Sequence, residues 1–199
     1  VAAGAEQIVV MPVLLFAAGH AKRDIPAAVE AAIRRASAEH GRTVAWRPAD
    51  VLESHAKLVE LSARRYAEAV AAAQPATQDE TCLILVGRGS HDAEAVAEMH
   101  RFAKLRCEAT PVGRCEVAFI AMAEPKYPDV LLAAAQHGHR RIVVQPHLLF
   151  EGELVRKLRR DVADLAERYA ASQWVVASQL GPDPLLADAI EALARAALR

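Results

Sequence analysis

Residues 9–26 read VVMPVLLFAAGHAKRDIP, and this stretch decides the expected fold. The pattern predicts an apolar strand that passes through a small-residue turn at Gly19 into the start of a helix. The strand would place His20 at its carboxyl end. In open parallel sheets ligands bind at that edge, where a neutral imidazole can bind a metal ion or accept a proton.

The composition excludes several classes of partner. The chain has 199 residues, of which 53% are hydrophobic, and a formal net charge of -1. No apolar run approaches the ~20 residues of a membrane span, so no membrane partner is expected. The near-neutral charge gives no general reason to bind nucleic acid. A small-molecule ligand is therefore the expected partner.

The cysteines and the N-terminus bear on cellular location. Cys82, Cys107 and Cys115 follow neither the spacing of a CxxC redox pair nor that of a zinc ribbon, so reduced thiols are expected. The chain does not open with a basic segment followed by an apolar signal core. Both features favour a cytoplasmic protein.

Comparison of the chain with itself predicts an internal repeat. Residues 7–16, QIVVMPVLLF, align with residues 141–150, RIVVQPHLLF. The same order of helix, strand and helix is expected after each copy. The predicted helices span about residues 25–40, 55–72, 93–108, 128–138, 153–169 and 184–198, and further strands span residues 43–46, 81–86, 115–122 and 174–179.

This order predicts the fold class and the organisation. Nearly continuous apolar strands that alternate with helices indicate an α/β fold on a parallel sheet covered on both faces. Residues 81–199 would form a complete four-stranded unit, residues 74–80 a polar linker, and residues 1–73 only the rear half of another unit. The free sheet edge of an incomplete unit favours self-association into a homo-oligomer.

Three stretches resemble a known family. Residues 14–26, LLFAAGHAKRDIP, resemble the histidine motif of the long, two-repeat sirohydrochlorin cobaltochelatases, which are class II chelatases. Residues 86–92, VGRGSHD, and residues 145–154, QPHLLFEGEL, resemble parts of that family's second repeat. The resemblance covers nearly the whole chain, which looks like a fragment lacking the front half of the first repeat.

The resemblance implies an activity. It predicts a cytoplasmic metal chelatase of the lyase class that inserts Co²⁺ into sirohydrochlorin without ATP, in cobalamin biosynthesis. Cobalt is the substrate metal, and Ni²⁺ or Fe²⁺ would suit an imidazole equally well. The sequence also leaves open a non-catalytic tetrapyrrole- or metal-binding module, a dimerisation half, and a small-anion-binding α/β domain.

The resemblance also assigns the reactive residue. In that family two histidines hold the metal or take the pyrrole protons, and His20 matches the second of them. The first would lie before Val1, and the second repeat carries Arg88 and Glu153 in place of the two histidines. His20 is thus the predicted catalytic and metal-binding residue, and the activity of this chain by itself is an open question.

The predicted substrate-binding residues follow two turns. Lys22 and Arg23 come after His20 at a helix start, and a tetrapyrrole rich in carboxylates suits such cations; solvated surface charge is the alternative. Arg88 and Ser90 lie in a strand-to-helix turn whose amides could hold an anion, or the turn is purely structural. His91 would face the same crevice.

Other candidates carry weaker expectations. His147 aligns with an apolar residue of the first copy, which predicts a partly buried strand histidine rather than a ligand. Asp24 and Asp183, each near a proline, are predicted N-caps. The chain has no complete GxGxxG and no P-loop motif, so no nucleotide is expected. It also lacks the MxCxxC segment of some relatives, so no iron-sulfur cluster is expected.

Overall fold

The computed structural model describes residues 5–41 and 43–199, apart from the side chain of His20. Helices and strands alternate along these ranges, and their bounds lie within a few residues of most of the predicted ones. In chain order they are β1 (Gln7–Val10), a π-helical turn (His20–Asp24) that leads into α1 (Ile25–His40), β2 (Ala45–Pro48), α2 (Ala56–Val70), β3 (Thr81–Gly87), α3 (Ala93–Ala109), β4 (Arg114–Phe119), α4 (Tyr127–Gln136), β5 (Arg141–His147), α5 (Glu153–Arg168), β6 (Gln173–Val176) and α6 (Pro184–Ala196).

The strands form two parallel sheets. Four of them follow the order β4-β3-β5-β6, and β1 pairs with β2 in a separate two-stranded sheet. All of these pairs are parallel. The predicted fold class, α/β with parallel sheets, is therefore confirmed.

The four-stranded sheet is covered on both faces, and its central strands are mostly apolar. Every residue of β3 and β5 is buried. Ile84 and Val86 pack on one face with residues of α4 and α5. Leu83 and Leu85 pack on the other face with Met99 and other residues of α3. Two-sided burial is the reason why these strands are continuous apolar runs rather than alternating ones.

A third cluster connects the first part of the chain to the second. Leu58 and Leu61 of α2 are fully buried against Phe102 of α3 and against Leu186 and Ala189 of α6. Each fully buried leucine contributes about 1.5–3 kcal/mol relative to an exposed one. This cluster positions the turn after β1 next to the carboxyl ends of β3 and β5.

The strand predicted before His20 is shorter than expected. β1 pairs only with β2 among the described residues, and that pairing ends at Val10 and Pro48. β5, whose sequence aligns with that of β1, is longer because β3 pairs with it as far as His147. Residues 11–18 therefore have no regular structure, and His20 begins the π-helical turn instead of ending a strand.

The two predicted N-caps behave differently. Asp183 caps α6, and its carboxylate accepts a hydrogen bond from the Leu185 N–H at 2.9 Å. Asp24 has helical backbone angles and makes no side-chain capping bond. The π-helical turn before α1 continues directly into it, so Asp24 occupies the predicted N-cap position but does not make the side-chain capping bond.

The cysteines also differ from the prediction. Cys107, near the end of α3, and Cys115, near the start of β4, form a disulfide, so the expectation of three reduced thiols was wrong. The chain reverses between these elements and brings the two Cα atoms to 6.7 Å, which spacing in sequence alone does not show. Cys82 is buried, and burial raises the pKa of its thiol to about 12.

None of the described helices is long and apolar enough to cross a membrane.

Candidate functional site

A large cavity lies where the sheet topology predicts a ligand site. From β3 the chain crosses to β4 on one side, whereas β5 and β6 lie on the other side, so the connections diverge between β3 and β5. In open parallel sheets, ligands bind outside the carboxyl ends of the strands at such a point. The cavity there has a volume of about 990 Å³ and is lined by residues that directly follow β3 and β5, together with the segment before α1.

The cavity has an apolar interior and a charged rim. Met99 and Phe119 are buried in its wall, which Phe16 and Leu149 also line. The exposed side chains at its edge include three cations. Its volume is near the top of the range of roughly 300–1,000 Å³ that is usual for small-molecule sites. A large, flat, apolar ligand with anionic substituents would match both parts. The three cations at the rim are Lys22, Arg23 and Arg88.

The turn after β3 requires glycine at residue 89. Gly89 has a φ of +90°, and a Cβ there would lie 1.8 Å from the backbone oxygen of Ala121. The segment after β4 is held against this turn by hydrogen bonds from Ile120 N to Gly87 O and from Ala121 N to Arg88 O, both 2.9 Å. The turn and the segment after β4 therefore lie closer together than a residue with a side chain at position 89 would allow, and this contact fixes the backbone of one cavity wall.

Lys22 joins the two walls of the cavity. Its Nζ lies 2.7 Å from an oxygen of Asp92 and 2.6 Å from an oxygen of Glu94, both at the start of α3. The hydrogen bond to Asp92 is the main reason why the pKa of Lys22 is raised. The same bond lowers the pKa of Asp92. Lys22, predicted to bind substrate, thus has two carboxylate partners within the protein.

The other predicted substrate-binding residues also line the cavity. Arg88, Ser90 and His91 follow β3, and Arg23 lies in the π-helical turn. Arg88, His91 and Arg23 are exposed. The hydroxyl of Ser90 accepts a hydrogen bond from the N–H of Asp92 at 3.0 Å, which supports the start of α3. The structure therefore brings all five predicted residues around one cavity.

His20 can be placed only by its backbone. Its side chain lies outside the described part of the structure. Residue 20 opens the π-helical turn, and its neighbours Gly19 and Ala21 both line the cavity. π-helical turns are rare and occur frequently at functional sites. The backbone position is compatible with the role that the resemblance assigns.

His147 lines the cavity although it was not predicted as a site residue. It ends β5, beside Gly87 at the end of β3, and is 1% exposed. Its ring centroid lies 4.1 Å from that of Phe102 and 5.3 Å from that of Phe16. A partly buried strand histidine was predicted, and the ring is in fact fully buried. However, the ring also lines the cavity, which the alignment with an apolar residue did not indicate.

A second, smaller cavity of about 390 Å³ shares Lys22 with the first. Glu98 and Glu53 line it. Burial is the main reason why the pKa of Glu53 is raised, and the nearby Glu98 acts in the same direction. Glu98 accepts a hydrogen bond from the Ser54 N–H at 3.0 Å. No sequence motif pointed to these carboxylates. Among the described residues, no group of three or more His, Cys, Asp or Glu side chains forms a metal site.

Comparison with known proteins gives the family. The sequence profile of the CbiX family matches residues 1–69 and 82–197. A sirohydrochlorin cobaltochelatase of Priestia megaterium is 28% identical over 186 residues, which cover 94% of this chain and 59% of that protein. A sirohydrochlorin ferrochelatase of the same organism is 26% identical over 178 residues, which cover 89% of this chain and 63% of that protein. The chain thus spans less than two thirds of the length of these relatives.

A solved structure agrees with the profile. SirB from Bacillus subtilis with Fe³⁺ superposes with a TM-score of 0.82 at 26% identity, and the match covers 98% of this chain and 72% of that one. The likeness includes the parallel sheets and therefore supports the class II chelatase-like fold that the sequence predicted. Together with the profile, which matches most of the chain, it establishes that the chain belongs to the CbiX family.

Proposed function

We propose that this chain takes part in the insertion of a divalent metal ion into sirohydrochlorin, and that the ion is Co²⁺. The observation that carries the proposal is a cavity of about 990 Å³ with an apolar interior and cations at its rim, at the carboxyl ends of parallel strands in a member of the CbiX family. The interior suits the face of a tetrapyrrole, and the rim suits its carboxylates.

The roles of the residues follow from their positions. Arg88 and Arg23 are exposed at the rim, where each guanidinium can bind a carboxylate through two parallel hydrogen bonds. Lys22 is already paired with two carboxylates, so it orients the wall and adds less to binding. Ser90 and His91, which follow Arg88, would contact the same substituents.

We assign His20 to the metal ion or to the pyrrole protons, as the family resemblance implies. Insertion requires a partly dehydrated divalent ion next to a macrocycle that loses two N–H protons. A neutral imidazole can serve either task near neutral pH. The support is the sequence match and the backbone position of residue 20 between two residues that line the cavity.

The choice of cobalt rests on the resemblance alone. The relatives include a cobaltochelatase and a ferrochelatase at similar identity. Imidazole ligands accept cobalt, nickel and iron. The assay therefore compares Co²⁺, Ni²⁺ and Fe²⁺ at equal concentration, and a higher rate with Fe²⁺ than with Co²⁺ would overturn the cobalt assignment.

A second candidate is a module that binds the tetrapyrrole without inserting the metal. The observation that favours it is that the apolar interior and the rim cations of the large cavity suit the tetrapyrrole by itself, whether or not a metal ion is inserted. The organisation into residues 1–73, 74–80 and 81–199, the homo-oligomer and the cytoplasmic location remain predictions from the sequence.

An anaerobic assay with sirohydrochlorin separates the two functions. Tetrapyrrole binding is followed by fluorescence, and metal insertion by the change in the absorption spectrum. We expect accelerated insertion that His20→Ala abolishes and that Arg88→Gln weakens through a higher KM. Binding without acceleration would favour the module, and the absence of both would refute the proposal.

A further inference from the structure

Within the described part of the chain, the buried imidazole of His147 has two ring nitrogens without a hydrogen-bond partner. The side chain is 1% exposed, yet neither Nδ1 nor Nε2 has a hydrogen-bond partner within residues 5–41 and 43–199. A buried polar group without a partner has lost its hydrogen bonds to water and gained none in return, which destabilises the protein. Such a group in a cavity wall can find its partner in a water molecule or an ion that occupies the cavity.

The surroundings of His147 keep the imidazole neutral. Phe102 and Phe16 flank the ring, at 4.1 Å and 5.3 Å between centroids. Burial lowers the pKa of His147 to about 3. A neutral imidazole presents one N–H and one nitrogen lone pair, and the lone pair is the form that binds transition metals.

The position of the ring at the sheet edge suits a transient metal site. His147 lies beside Gly87, which has no side chain, at the carboxyl ends of the two central strands. Both residues line the large cavity. Lys22, one of the rim cations, is balanced by Asp92 and Glu94. An ion in the cavity would therefore not meet the full positive charge of the rim.

We propose that His147 is an additional ligand for the divalent transition metal ion that is the substrate of the reaction. The identity of that ion rests on the proposed function. One imidazole nitrogen replaces a water molecule on the hydrated ion, and the bond breaks when pyrrole nitrogens take its place. A single buried ligand leaves the other coordination positions open, which an ion in transfer requires.

The test measures binding of Co²⁺ alone to the 199-residue chain, with no tetrapyrrole present. The readouts are visible absorption and the paramagnetic shifts of histidine ring protons. His147→Phe removes both nitrogens and keeps an aromatic ring between its neighbours, whereas His147→Gln keeps a hydrogen-bond donor and acceptor. His137→Gln is the matched control, because His137 is exposed at the end of α4.

We expect both His147 variants to bind Co²⁺ at least about 10-fold more weakly than the unmodified chain, and the His137 control to bind it unchanged. Thermal unfolding and circular dichroism show which variants are folded, and either folded variant suffices. Two results would overturn the proposal: no Co²⁺ binding by the unmodified chain, or unchanged binding in either folded His147 variant. Weaker binding in His147→Phe together with unchanged binding in His147→Gln would assign a hydrogen-bonding role to His147 instead.

This outcome is independent of the assay for metal insertion. A chain that binds Co²⁺ through His147 but does not accelerate insertion would leave the inference standing and refute the enzymatic function. Conversely, if the chain accelerates insertion but His147→Phe binds Co²⁺ as tightly as the unmodified chain, the enzymatic function stands and the inference about His147 is refuted.

Discussion

Replacement of Gly89 by alanine is expected to destabilise the protein by more than the conformational cost of placing an alanine at a positive φ, because the new side chain also collides with the cavity wall. The new Cβ would lie 1.8 Å from the backbone oxygen of Ala121, and residue 89 has a φ of +90°. The left-handed backbone costs an alanine about 1–2 kcal/mol. Relief of the overlap must displace the segment after β4, which endangers two hydrogen bonds worth about 0.5–1.5 kcal/mol each. We therefore expect a loss of about 2–5 kcal/mol.

Gly138→Ala separates the two contributions. Gly138 also has a positive φ, +73°, but a Cβ there would meet no atom within 4 Å. This control should lose only the conformational part, about 1–2 kcal/mol. Urea unfolding of the Gly89 and Gly138 variants, followed by circular dichroism, gives the two free energies through the linear dependence on denaturant.

Equal losses of unfolding free energy in the two variants would refute this reasoning. They would show that the turn after β3 moves away from Ala121 without a free-energy cost, and that Ala121 does not hold the cavity wall. We further expect Gly89→Ala to weaken tetrapyrrole binding, whereas Gly138→Ala should not, because Gly89 lines the cavity and Gly138 does not.

Three further predictions concern stability, each measured by urea unfolding. Burial would raise the pKa of Asp183, but the hydrogen bond from Leu185 N–H and the neighbouring arginines outweigh it and lower the pKa. Asp183→Asn should therefore lower the free energy of unfolding by about 1–2 kcal/mol at pH 7. This deficit should shrink as the pH falls below the ordinary Asp pKa of 3.8, and a deficit that stays constant with pH would contradict the prediction. Cys107→Ser opens the disulfide and should cost about 2–3 kcal/mol, and dithiothreitol should destabilise only the unmodified protein. Phe102→Ala should cost about 3–5 kcal/mol because Phe102 is fully buried, whereas Phe150→Ala, with the side chain 54% exposed, should stay within about 0.5 kcal/mol.

Most of the helices and strands could be predicted because their patterns are local. The apolar runs of β3 and β5 are buried on both faces, and the spacing of apolar residues in α5 follows one face of a helix. β1 is the exception, because its length depends on which strand lies beside it. Pairing with β3 extends β5 to His147, whereas β1 ends at Val10 with its pairing to β2.

The candidate site was predictable in part. Motifs after strands identified Arg88, Ser90 and His91, since ligands bind at the carboxyl edge of a parallel sheet. The ion pairs of Lys22 with Asp92 and Glu94 were not predictable, because the partners are about 70 residues apart in sequence. No local pattern encodes a contact between side chains on different elements.

The sequence by itself determined the alternation of helices and strands, the parallel sheets and the resemblance to a chelatase family, because these depend on local periodicity and on a short motif around His20. The tertiary structure decided the rest. It joined Cys107 to Cys115 and placed His147 in a cavity wall with two unpartnered nitrogens. The physical reason is that pairing, burial and solvation are set by residues far apart in the chain, which only packing brings together.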